Sequence, residues 1–103
     1  MAGFRFSRLA EADLLSIGAY TLRTWGQAQT IIYIDDLEAC CQMLADNPTP
    51  GRASDEVCLG LRRMECGRHV VFYRADAGGV LVCRILHQRM LPEGHPIDDD
   101  EGR

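Results

Sequence analysis

The spacing of apolar residues changes twice along this chain. At its start Phe4 and Phe6 flank Arg5, the alternation of a short strand over 4–6. Leu14, Ile17, Thr21 and Trp25 then recur at three and four residues, which draws one face of a helix ending before Gly26. Ser7 is placed to cap that helix, and Glu11 and Asp13 lie in its opening turns, where the helix dipole favours acids. A second helix is expected over 27–45, with Tyr33, Leu37, Cys40, Cys41 and Leu44 as its buried stripe and Pro48 and Pro50-Gly51 as its stop. With only Gly26 and its neighbours as a connection, the two helices form an antiparallel hairpin.

After the loop "NPTPGRASDEV" the period shortens again, giving strands over 59–65, 69–75 and 80–87. Cys66-Gly67 and the turn at 76–79 separate them, so they read as an antiparallel meander. The fold class is therefore α+β: a short N-terminal strand and an antiparallel helical hairpin packed on a small antiparallel sheet. Alternation puts Leu81, Cys83 and Ile85 on one face of the last strand, and Val70 and Phe72 on one face of the strand before it, facing the helices. The opposite face, with Val71, Tyr73, Val80, Val82 and Leu86, is also largely apolar. Two helices cover one face, so the other is expected to stay partly open and to take a partner chain.

At 103 residues the chain is long enough for one core and too short for two, and 47% apolar with 25% charged residues is the composition of a globular protein. The ordered domain is assigned to 1–91 and an acidic, flexible tail to 92–103. No apolar run approaches the length that spans a bilayer, and the start "MAGFRFSRLAEADL" has no secretory pattern, so the expected location is the cytoplasm. The net charge of -4 is uneven: the tail holds five of the fifteen acids and one arginine, which leaves 1–91 neutral. The five cysteines are odd in number and contain no C-x-x-C pair, so reduced, structural thiols are expected. Cys83 and His87 have no companion pair that would make a metal site, and neither metal nor cofactor is expected.

Every fixed cation is an arginine, and six of the eleven lie between Gly60 and Met90: Arg62, Arg63, Arg68, Arg74, Arg84 and Arg89. His69 and His87 lie in the same stretch. As an enzyme site such groups would clamp phosphates around an imidazole acid or base; as a surface they would pair with a partner's carboxylates; otherwise they are solvated strand residues. Trp25 and Tyr33 read as core, and Asp13 as part of a solvated helix face. Gly78-Gly79 is a hairpin turn and not a nucleotide loop.

The ordered runs "FRFSRLAEADLLSIGAYTLRTWGQAQTIIYIDDL", "LADNPTPGR", "LRRMECGRHVVFYR" and "VCRILHQRM" resemble the ParE branch of the RelE/ParE toxins of bacterial type II toxin–antitoxin modules, over residues 4–91. The resemblance implies a toxin that poisons DNA gyrase and is neutralised by a ParD-type antitoxin, whose disordered C-terminal part folds onto it. The implied assembly is a heteromer, with no direct sequence-specific nucleic-acid binding. Antitoxin contacts are expected at Arg62, Arg63, His69, Tyr73, Arg84, Leu86, His87 and Arg89 and along the helical hairpin. The alternative is a RelE-like ribosome-dependent mRNA endonuclease, for which Arg62, His69, His87 and Arg89 are the candidate catalytic residues. RelE-type sites carry lysines and a late tyrosine; this chain has no lysine and no tyrosine after Tyr73, so no catalytic residue is expected. A third alternative is a non-toxic relic that only binds its antitoxin.

Overall fold

A computed structural model of the chain describes residues 3–88. Arg89 and the acidic tail assigned to 92–103 lie outside the described residues. The element order is β1 (Gly3–Phe6), α1 (Arg8–Trp25), α2 (Gln27–Asp46), β2 (Arg52–Ala53), β3 (Arg62–Cys66), β4 (His69–Asp76) and β5 (Gly79–His87).

Each helix boundary has a local cause. The Ser7 hydroxyl accepts the Ala10 N–H at 3.0 Å, the N-cap bond expected of it, and donates to the Cys83 carbonyl at 2.8 Å, tying the start of α1 to β5. Gly26 joins α1 to α2 at φ 89°, which a side chain would strain; its N–H closes α1 on the Leu22 carbonyl and its carbonyl opens α2 by accepting the Thr30 N–H.

The expected meander of β3, β4 and β5 is present, and the sheet is larger than the meander. Five strands run in the order β1-β5-β4-β3-β2, antiparallel except that β1 lies parallel to β5. The sheet is thus mixed, because the chain leaves β1 into the helical hairpin and the meander brings β5 back beside it. β2, inside the segment read as loop, adds a two-residue edge on β3.

The two sheet faces are the reverse of the expected ones except at Ile85 and Leu86, which lie where expected. Val71, Tyr73, Val80, Val82 and Ile85 face the helices and pack with Leu37, Cys41 and Leu44. Phe72, Leu81, Cys83 and Leu86 lie on the other face with Leu61. The β4–β5 ladder pairs Phe72 with Arg84 and Tyr73 with Val82, so Cys83 is the extra residue of a β-bulge. That bulge resets the alternation, which is why Cys83 shares a face with Leu86 and not with Ile85. The second face is also buried: Val57 and Cys58 pack beside Leu61 upon it. The open sheet face that called for a partner does not exist among the described residues. Seven of the eight large apolar side chains left exposed there are on the hairpin instead: Leu15, Tyr20, Leu22 and Trp25 of α1, and Ile31, Ile32 and Met43 of α2.

The expectation of reduced cysteines is corrected in one pair. Cys40 of α2 and Cys66 at the end of β3 form a disulfide, with Cα atoms 6.4 Å apart. They are 26 residues apart in sequence and meet because the buried stripe of α2 lies over the end of β3. Cys41, Cys58 and Cys83 are free thiols.

Candidate functional site

The end of the sheet that carries His69 and His87 is roofed by the C-terminal half of α1 and the first turns of α2. Between them lies a groove of about 830 Å³. Its apolar floor and wall come from Ile17, Tyr20, Trp25 and Ile85, and its polar rim from Tyr33, Arg68, His69 and His87.

The rim is built by the β3–β4 turn. Gly67 holds φ 63°, and a Cβ there would stand 2.9 Å from the Tyr33 ring, so glycine lets the turn lie against α2. The Tyr33 hydroxyl accepts the Arg68 backbone N–H at 3.0 Å and is hydrogen-bonded to Nδ1 of His69 at 2.6 Å. Burial lowers the pKa of His69 from 6.5, and His87 lowers it further against a smaller upward pull from Asp13. His69 and His87 are directly paired across β4 and β5, and their rings meet edge to face at 5.5 Å. The Arg68 guanidinium lies over the Trp25 ring at 5.7 Å, bridging turn and α1 by a cation–π contact.

Asp13 and Arg84 form the groove's rear support. The Arg84 Nε and Nη2 donate to the two carboxylate oxygens of Asp13 at 2.7 and 2.8 Å, and the Ile85 N–H donates to Asp13 at 2.9 Å. β1 pairs with β5 only as far as Phe6 and Val82, so Asp13 supplies the acceptor that a longer β1 would have offered.

The eight candidate contact residues divide. His69 and His87 meet in the groove, and Leu86 lines it beside them. Tyr73 and Leu86 are buried, and Arg84 is 8% exposed with its fork on Asp13, so these three hold the fold together. Arg62 donates to the Gly51 carbonyl at 2.8 Å, and the Tyr73 hydroxyl donates to the Pro48 carbonyl at 2.7 Å while accepting the Gly51 N–H. Together they anchor the loop after α2. Arg63 is half-buried and pairs with Glu56 at 3.6 Å. Arg89 lies outside the described residues. For a ribonuclease the decisive separation is that of Arg62 from the histidines: Arg62 pairs with Tyr73 at one end of β3 and Cys66 pairs with His69 at the other, about 13 Å along the strand.

Asp13 and Trp25 are the groove residues that sequence reasoning misassigned, whereas Tyr33, read as core, packs against the core and also carries its hydroxyl to the groove rim. Trp25 is 56% exposed although it keeps helical spacing with Ile17 and Thr21, and its ring lines the groove under the Arg68 guanidinium. Asp13 opposite Arg84 leaves no trace in a single sequence, since the two are 71 residues apart. Among the described residues no three His, Cys, Asp or Glu side chains stand close enough to share a metal ion, and no helix is long and apolar enough to cross a membrane.

Two helices over a mixed sheet with β1 beside β5 make this an α+β protein of the RelE/ParE type. The fold is matched by a chain of a structure described as the chromosomal ParDE TA system from P. aeruginosa, with TM-score 0.71, 21% identity and coverage of 84% of this chain and 96% of that one. Residues 4–92 match the family model described as ParE toxin of type II toxin-antitoxin system, parDE. Toxin ParE1 of Caulobacter vibrioides is 39% identical over 95 residues, covering 92% of this chain and 98% of the relative. Toxin ParE of Escherichia coli is 41% identical over 91 residues, 87% and 88% of the two chains. The chain belongs to the ParE toxin family of type II toxin–antitoxin systems.

Proposed function

We propose that this toxin acts in the cytoplasm by poisoning DNA gyrase, is held inactive by a ParD-type antitoxin, and is not an enzyme. The observation that carries the non-enzymatic reading is the separation of Arg62 from the histidine pair. A ribonuclease needs cations around the scissile phosphate beside its acid and base. Here Arg62 lies at the far end of β3 with its guanidinium on backbone carbonyls, and Arg84 is closed on Asp13. Arg68 is the described arginine that lines the groove with the histidines, and it stacks on Trp25.

The antitoxin reading rests on the hairpin. Exposed Leu22, Trp25, Ile31 and Ile32, next to a groove with an apolar floor and a basic rim, suit an amphipathic segment that carries acids and orders as it binds. The test is supercoiling by purified gyrase with and without the cognate antitoxin, in parallel with cleavage of ribosome-bound mRNA. Inhibited supercoiling with accumulated cleaved DNA, relieved by antitoxin, is the expected result. Cleaved mRNA that disappears with His69→Ala overturns it in favour of the ribonuclease.

A further inference from the structure

We propose that the Cys40–Cys66 disulfide is a redox latch on the groove: oxidised, it clamps the β3–β4 turn to α2, and reduced, it frees the turn that carries Arg68 and His69. The inference concerns the groove's shape and does not depend on what the groove binds.

The turn is joined to α2 at two points. Cys66 is bonded to Cys40, and the Tyr33 hydroxyl holds the Arg68 N–H and His69 Nδ1. Tyr33 and Cys40 are seven residues apart on α2, two helical turns, so they grip the turn from one face of the helix about 10 Å apart. Without the covalent grip the two hydrogen bonds of Tyr33 and the packing of Cys66 on α2 remain on that side, and Gln88 holds the Gly67 and Arg68 carbonyls on the other. Arg68 reaches from this turn to Trp25 on α1, so movement of the turn moves a wall of the groove.

The chemistry is a two-electron thiol–disulfide exchange. Cys40 is half-buried whereas Cys66 is 7% exposed, so a dithiol of the thioredoxin class attacks at Cys40 Sγ. The S–S bond breaks, the mixed disulfide forms on Cys40, and Cys66 leaves as a thiolate that takes a proton. The reductant's second thiol then closes on its first and releases Cys40, which is protonated in turn; the dithiol is oxidised and the protein reduced by two electrons and two protons. A disulfide oxidant such as oxidised glutathione runs the exchange backwards. Cys41 does not scramble the pair: burial, with Glu38 adding to it, pushes its thiol up to about 12, so it stays protonated and unreactive. Cys58 and Cys83 belong to the other face of the sheet. In a cytoplasm that keeps thiols reduced, such a bond forms when the redox poise shifts.

The experiment uses the full chain, equilibrated with oxidised glutathione or with dithiothreitol. Alkylation and intact mass count the free thiols, three expected in the oxidised form and five in the reduced. Amide exchange and acrylamide quenching of Trp25, the chain's single tryptophan, then follow the turn. On reduction the Arg68 and His69 amides should exchange about tenfold faster or more and Trp25 become more quenchable, while Leu44 on α2 is unchanged. The Cys40→Ser, Cys66→Ser double variant should behave as the reduced form under both conditions. Five free thiols after oxidation overturn the proposal. So does an unchanged turn in the reduced wild-type protein, or an acceleration shared equally by Leu44, which would make the bond a plain staple.

Discussion

Asp13 carries more of the structure than its place in the first turns of a helix suggests. Its carboxylate accepts three hydrogen bonds, two from a buried guanidinium and one from the unpaired edge of β5. Asp13→Ala removes the carboxylate that takes the Arg84 fork at 8% exposure and leaves the Ile85 N–H without its acceptor. The expected loss is about 3 kcal/mol of unfolding free energy, read from urea denaturation. Arg84→Ala should likewise lower stability, whereas Arg84 as a partner contact would show in affinity with the melting point kept. His69 adds a pH dependence of known sign. Its pKa is lowered on folding, so the unfolded chain binds the extra proton first; its contribution is complete above pH 6.5 and is lost as pH falls through the folded value. The melting temperature should drop as pH falls below 6.5, and His69→Gln should flatten that slope in a thermal scan.

At the scale of elements, an apolar core joins the hairpin to the sheet, and a set of polar contacts of different kinds fixes how it sits there. Ser7 both caps α1 and bonds the Cys83 carbonyl at the bulge, so Ser7→Ala removes a cap and a tertiary bond at once. A loss of about 1–2 kcal/mol is expected in equilibrium unfolding, against a smaller one if only the cap mattered. The loop after α2 is fixed by Tyr73 and Arg62 acting on the Pro48, Thr49 and Gly51 backbone. Burial raises the pKa of the Tyr73 phenol, and its neutral hydroxyl is the form that donates to Pro48. The arginine that resembled a ribonuclease cation therefore serves an architectural purpose, holding the loop that carries the N-P-x-x-G motif.

For the whole molecule, the apolar surface that needs a partner lies on the helices. Both sheet faces are buried, by the hairpin on one side and by the segment around Leu61 on the other. The proposed antitoxin should therefore respond to Ile32→Glu or Trp25→Ala, each raising the dissociation constant about tenfold or more in a titration with the purified antitoxin. Both residues are more than half exposed, so the folded toxin should keep its melting temperature in these variants.

What the sequence determined alone was the local part of this protein. The period of Leu14, Ile17 and Thr21, the cap at Ser7, the bend at Gly26 and the turns at Gly67 and Gly79 are set by neighbours within a few residues, and they placed the helices and the meander. The ordered motifs placed the family. Only the tertiary structure decided which sheet face met the helices, since both faces are apolar in the sequence, and a one-residue bulge at Cys83 resets the alternation within β5. It also decided that Asp13 meets Arg84, Tyr33 meets His69 and Cys40 meets Cys66, pairs separated by 71, 36 and 26 residues. No periodicity records such pairs, since each depends on where the hairpin comes to rest on the sheet. The groove and its latch are consequences of that docking.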